Sequence, residues 1–98
     1  MIRSFADSGT EDVFEGRNSR DARRACPRNL WRSVARKLDL LDSADSLEDL
    51  KVPPGNRLEA LTANRRGQFS IRINQQYRIC FVWSAEGPEG VEIVDYHR

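Results

Sequence analysis

The stretch Phe69-Ser70-Ile71-Arg72-Ile73-Asn74-Gln75-Gln76-Tyr77-Arg78-Ile79-Cys80-Phe81 decides the fold. Phe69, Ile71 and Ile73 alternate with polar residues, and Tyr77, Ile79 and Phe81 alternate again after the turn chemistry of Asn74-Gln75-Gln76. Apolar residues at every second position mark a half-buried strand, because successive side chains point to opposite faces. A hairpin closed by residues 74–76 sets Ile73 against Tyr77 and Arg72 against Arg78. Both arginines then share a face with Gln68, Ser70, Cys80 and Val82, opposite Phe69, Ile71, Ile79 and Phe81. Like charges facing each other across a sheet destabilise it. The pair therefore points to a polyanion bound on an uncovered face. The alternative is that Glu92, from a following strand, sits between the arginines and neutralises them.

Outward from the hairpin, Leu58 and Leu61 flank an earlier strand, and Val91 and Ile93 mark a later one beyond a turn at residues 85–90. Upstream, the apolar period changes from 2 to 3.6. Ile2 to Phe5 reads as a short strand, and Thr10 to Phe14 as a short helix stopping near Gly16. Residues 17–26 carry no assignable pattern. A longer helix is predicted from Pro27, a residue favoured in first turns, with Leu30, Trp31, Val34, Leu38 and Leu41 as its apolar stripe. One more turn follows at residues 46–50 before Val52-Pro53-Pro54-Gly55-Asn56 breaks it. The expected architecture is one α+β domain over residues 1–98, with N-terminal helices packed on one face of a curved, mainly antiparallel sheet.

The 98 residues carry 16 Lys+Arg against 15 Asp+Glu, a net charge of +1, with 39% hydrophobic and 32% charged residues. That balance is not the signature of disorder. No apolar run approaches the ~18 residues of a membrane span, and Met1-Ile2-Arg3 opens no export signal. Cys26 and Cys80 are then expected as reduced thiols in a cytoplasmic protein. The small net charge hides blocks of opposite sign. Residues 17–37 hold seven arginines and Lys37 against Asp21, and residues 52–83 hold Arg57, Arg65, Arg66, Arg72 and Arg78 against Glu59. Fourteen of the 16 cations are arginine, whose planar fork suits phosphates and carboxylates. For residues 17–37 the reading stays open between a solvated helix face and a docking surface.

The tail Asp95-Tyr96-His97 contains the only histidine. An imidazole titrates near pH ~6.5 and can give and take protons at neutral pH. Cleavage of RNA through its 2′-hydroxyl needs a proton acceptor, a proton donor for the leaving oxygen, and cations for the phosphate. A carboxylate, a phenol and an imidazole next to paired arginines supply those types. Other chemistries find no support: the cysteines and histidine have no zinc spacing, and no phosphate-cradling glycine motif occurs. No metal and no organic cofactor are expected.

Pro53 to Leu61, Asn64 to Phe81 and Val91 to His97, together with Met1 to Phe5 and Lys37 to Asp42, resemble the HigB-type toxins of the RelE/ParE toxin–antitoxin superfamily, in a GraT-like branch. The Arg-Ile-Asn-x-x-aromatic-Arg-Ile hairpin with a terminal Asp-Tyr-His is the specific part of the match. The resemblance implies a ribosome-dependent, metal-independent endoribonuclease that cuts mRNA in the ribosomal A site. It also implies a neighbouring helix-turn-helix antitoxin, HigA-like, as partner, and no membrane. Residue by residue, it implies that Asp95, Tyr96 and His97 form the catalytic tail and that Arg78 contacts the scissile phosphate. Arg72 and Arg65, with Arg57, Arg66 and Asn74, would bind RNA. Glu59 stands where some relatives have a histidine, and Thr62 where they have a lysine, so Glu59 is either a general base in place of the imidazole or a structural residue. The alternatives are a ParE-like inhibitor that binds gyrase without catalysis, and a ribosome-associated RNA-binding module.

Overall fold

The computed structural model describes residues 1–96. The hairpin forms in the register its alternation requires: Phe69 pairs with Phe81, Ile71 with Ile79, and Arg72 with Arg78. These strands, β2 (Phe69–Arg72) and β3 (Tyr77–Ser84), lie between the short β1 (Glu59–Ala60) and the long β4 (Gly87–Asp95). All neighbouring pairs are antiparallel, in the order β1-β2-β3-β4. Asn74 closes the hairpin, its side-chain oxygen accepting from Gln76 N at 2.8 Å and Tyr77 N at 2.7 Å. This is the side-chain mimic of a backbone turn that favours asparagine in such loops.

Three helices cover one face: α1 (Ser8–Glu15), α2 (Arg20–Ala25) and α3 (Trp31–Ser43). Asp7 caps α1 by accepting from Thr10 N at 2.7 Å, and Gly16 ends it in a left-handed conformation. The unassigned segment contains α2, capped by Ser19, whose hydroxyl accepts from Ala22 N at 3.0 Å. It has no apolar stripe because it needs only a small footprint. Gly9 of α1 sits against it so closely that a Cβ there would lie 2.5 Å from the Asp21 carbonyl oxygen. Helix α3 buries Val34, Leu38 and Leu41 against Ile71, Ile79, Phe81, Val91 and Ile93. Fully burying such side chains contributes roughly 1.5–3 kcal/mol each. It starts at Trp31 rather than Pro27, with a short 3-10 turn at Arg28–Leu30 between.

Two expectations need correction. Residues 2–5 are not a strand; they make a single parallel bridge, Phe5 to Val91, while Arg3 N and Ala6 N donate to the Pro88 and Val91 carbonyls and Val91 N to that of Ser4. Backbone groups on the outer edge of β4 are thereby paired, with Thr10 Oγ1 taking Ile93 N at 3.0 Å. The turn expected across residues 85–90 shrinks to Ala85-Glu86, because Ser84 already pairs with Gly87. Gly90 misled the reading. It sits at φ +57 where β4 carries one more residue than β3, a bulge of the kind that glycine permits.

Between α3 and β1 the chain winds through short 3-10 turns around one buried polar side chain, Asn56. Its amide donates to the Leu50 carbonyl at 3.1 Å and the Val52 carbonyl at 3.4 Å, and its oxygen accepts from Lys37 Nζ. Lys37 is thus taken out of the basic surface to which the sequence assigned it. Burial, aided by neighbouring Arg36, pushes its ammonium below the usual lysine range.

Candidate functional site

The face of the sheet away from the helices is built from two rows set by register. Glu59, Ser70, Cys80 and Glu92 line up across all four strands, and Arg72, Arg78 and Val94 form the next row. Ser70 and Cys80 are fully buried, so this face is not bare; the arginines and Tyr96 cover it.

Arg78 is the most constrained cation. Its Nε donates to Ser70 Oγ at 2.7 Å and one terminal nitrogen donates to the Arg57 carbonyl at 2.7 Å. Only 13% of its side chain is exposed. Both acceptors are neutral, so they fix the guanidinium plane and leave its charge in place. Its ionic partner is Glu59, at 3.6 Å, a carboxylate 59% exposed. A pair so open to water contributes at most about 1 kcal/mol, so a phosphate can displace it. The neutralising role considered for Glu92 does not arise: Glu92 sits 3.3 Å from Arg65, which also donates to Gln68 at 3.0 Å. Arg72, opposite Arg78, makes no ion pair among the described residues.

These groups border a cleft of about 540 Å³ lined by Arg57, Glu59, Arg72, Asn74, Gln75, Arg78 and Tyr96. Arg57 is held there at φ +45, a left-handed conformation that costs a side-chain-bearing residue roughly 1–3 kcal/mol. That backbone delivers its carbonyl to Arg78. Asn74 reaches the cleft, but its oxygen is committed to the hairpin turn, which leaves only its amide N–H groups for a ligand.

Tyr96 forms the cleft's far wall. Its hydroxyl lies 3.6 Å from Cys80 Sγ. Burial and the Cys80 contact push the phenol above its ordinary range, while Arg65 and Arg78 pull it back. Tyr96 is therefore a protonated donor at neutral pH. Cys80 is likewise pushed up by burial, which keeps it an un-ionised thiol. On Tyr96's other side lies a second cleft of about 370 Å³, lined by Leu61, Thr62, Asn64, Arg65, Val94, Asp95 and Tyr96.

The remaining sequence candidates separate. Asp95 pairs in register with Tyr77, on the helix-covered side of β4, and accepts from Gln76 Nε2 at 3.3 Å. There it lines a cleft of about 380 Å³ with Asp7, Ser8 and Asp21. Alternation sends the Asp95 side chain to the face opposite the arginines, although Asp95 also borders the second cleft beside Tyr96. Arg65 lies at the second cleft, and Arg66 is exposed outside both clefts. His97 lies outside the described residues. The sequence missed the anchoring of Arg78 by Ser70 and the Arg57 carbonyl. The register had put Ser70 on the arginine face, but nothing in it announced the backbone contact. Among the described residues no cluster of His, Cys, Asp and Glu could hold a metal ion, and no helix is long and apolar enough to cross a membrane.

An antiparallel sheet with helices on one face and a cleft on the other is a fold shared with a solved structure. The YoeB–YefM complex from Staphylococcus aureus contains a chain that superposes with a TM-score of 0.61 at 13% identity, covering 100% of this chain and 99% of that one. The model of the HigB-like toxins, described as RelE-like toxins of the type II toxin–antitoxin system HigB, matches residues 3–97. The chain is 42% identical over 84 residues to "Toxin HigB-1" of Vibrio cholerae, covering 85% of this chain and 84% of that one. It is also 38% identical over 69 residues to an uncharacterized protein of Haemophilus influenzae, covering 70% and 66%. The protein belongs to the HigB-like family of type II toxin–antitoxin toxins.

Proposed function

We propose that this toxin is an endoribonuclease that cuts mRNA in the ribosomal A site and is neutralised by a helix-turn-helix antitoxin. The observation that carries the reading is Arg78, immobilised by neutral acceptors beside Arg72 and Tyr96 in one polar cleft. A preorganised cation aimed at a developing phosphorane charge needs no reorganisation during reaction. In the reaction we propose, Glu59 or a water beside it takes the 2′-hydroxyl proton, and the oxygen attacks the adjacent phosphorus. The bond to the 5′-oxygen breaks, leaving a 2′,3′-cyclic phosphate. Arg78 and Arg72 hold the non-bridging oxygens. His97, next in the chain to Tyr96, returns a proton to the leaving oxygen, and Tyr96 orients the phosphate through its protonated hydroxyl. Asp95 is assigned a positioning role, since its carboxylate belongs to the other side of the strand.

The net charge of +1 supports dependence on the ribosome, because weak nonspecific phosphate affinity leaves substrate presentation to the larger particle. The type II toxin–antitoxin description of the matching family supports an antitoxin partner. The test is purified protein with ribosomes and a defined mRNA. Wild type should cut at the A site, and Arg78→Ala and His97→Ala should each lower the rate about 100-fold or more. Intact mRNA with wild type, or DNA damage on induction without RNA cuts, overturns the reading in favour of a gyrase-directed inhibitor.

A further inference from the structure

Lys37 belongs to α3, on the helical layer, yet its ammonium is turned inward. It donates to the side-chain oxygen of Asn56 and makes no ion pair among the described residues. A lysine on a helix surface ordinarily carries its charge into water while its stem covers apolar surface. Resting that charge on one neutral oxygen, against both burial and the neighbouring Arg36, is a costly placement. Asn56 is itself fully buried, and both ends of its amide are used: the nitrogen donates to the Leu50 and Val52 carbonyls and the oxygen accepts from Lys37. It closes the 3-10 turn Pro54–Asn56, and Arg57 follows at φ +45. Arg57 N donates to the Pro54 carbonyl at 3.1 Å, and the Arg57 carbonyl accepts from Arg78 at 2.7 Å. A residue with a Cβ keeps such a conformation only where its surroundings over-determine it. On one side of Arg57 that support is the turn anchored by Asn56; on the other it is Glu59 paired with Ser70, the second acceptor of Arg78.

We propose that Lys37 is a positioning residue for the cleavage, acting from the helical layer through two intermediaries. Its ammonium holds Asn56, Asn56 holds the turn that ends at Arg57, and the Arg57 carbonyl holds the guanidinium of Arg78. The relay rests on the RNA-cleavage reading above and adds to it a residue that touches neither cleft at Tyr96.

Single-turnover cutting of a ribosome-bound mRNA, measured across toxin concentrations, tests it, with thermal melting of each variant to establish folding. Lys37→Met should lower the maximal rate roughly tenfold and leave the half-saturating concentration unchanged. In an Arg78→Lys background, which keeps the charge but loses the planar fork, the same substitution should cost less than about twofold. Apart from cutting, the Arg78 Nε–H resonance of arginine-labelled protein, assigned by its loss in Arg78→Lys, should exchange with solvent about tenfold faster in Lys37→Met. Equal losses in both backgrounds overturn the proposal, since they mark general support of the fold. A raised half-saturating concentration at the wild-type maximal rate also overturns it, by making Lys37 a ribosome contact, as does unchanged exchange at Arg78. Should Lys37→Met fail to fold, Lys37→Gln, one atom shorter and polar, decides by the same criteria. Absence of cuts by wild type removes the cleavage reading instead, and the Arg78 resonance then reports on the relay alone.

Discussion

Arginines on the sheet and arginines on α3 are the same chemical group kept in two different ways. Arg78 is nearly enclosed, with a hydroxyl and a carbonyl fixing its plane and one weak carboxylate partner. On the helical layer, Arg28, Arg32 and Arg36 recur four residues apart, and Arg32 and Arg36 are exposed with no ion pair among the described residues. Arg28 only stacks over Trp31, 5.7 Å from the ring centroid. Like charges at that spacing disfavour a helix by about 0.2–0.5 kcal/mol per pair. Arg32 and Arg36 lie in the first half of α3, which has no acidic residue in its first turn, and so oppose the macrodipole as well. The larger block of positive charge is therefore displayed, and the smaller one is built. Hydrogen bonds to a guanidinium, not the number of guanidiniums, distinguish a site from a surface.

The sharpest way to break this contrast is Arg78→Ala against Arg32→Ala in the ribosome assay. The first should remove cutting about 100-fold or more, while the second should cost far less. Comparable losses would mean that position in the fold confers no special role on Arg78. Next in size is Ser70→Ala, which leaves Arg78 Nε without its acceptor. Hydrogen bonds to charged groups are worth about 1.5–3 kcal/mol, so urea denaturation should register a loss of that order together with a slower cutting rate. Unaltered stability and rate would show that Ser70 does not hold the guanidinium.

The two layers also each bury a thiol, Cys80 under the cleft and Cys26 against the helices. Burial pushes Cys26 from the usual 9.0 up to about 11. The folded chain then binds this proton more tightly than the unfolded chain, so the contribution is intact below pH 9 and is lost as pH rises from 9 towards 11. An alkaline loss of about 2 kcal/mol should appear in chemical denaturation across that window, and Cys26→Ala should flatten it. Equal slopes in both proteins would refute the assignment. The smallest effect is expected at Arg32→Glu, which makes attractive both its repulsive spacing to Arg36 on α3 and its spacing to Arg28 in the preceding 3-10 turn, near the helix's positive end. Stability should rise by about 0.5–1 kcal/mol; a fall would show that the basic stripe supports the helix after all.

How far the sequence could be read followed from how local each cause was. The hairpin register, the turn at Asn74 and the stripe on α3 depend on neighbouring residues and periodicity, and all were legible. Helix α2 was not, because a helix whose buried contacts are Ala22, Ala25 and Cys26 leaves no apolar stripe among its arginines. The ionic partner of Arg78 was not legible for a related reason. Glu92 and Glu59 lie in the same row of the sheet. Which of them meets Arg78 follows from the pairing of β1 with β2 and from Arg65 taking Glu92, neither of which the hairpin's own residues announce. Asp95 was grouped with Tyr96 by their adjacency in the motif, and the two do border one cleft, with alternation sending their side chains to opposite faces of β4.

The pairing of residues 3–6 along β4 has a further consequence for how another protein can grip this one. With that margin occupied, the sheet's other margin is β1, a strand only two residues long. Extension of the sheet by an incoming strand draws its affinity from a ladder of main-chain hydrogen bonds, and the β4 margin has little of that ladder left to offer. The helical layer, by contrast, displays Arg32 and Arg36 as exposed side chains without an ion pair among the described residues.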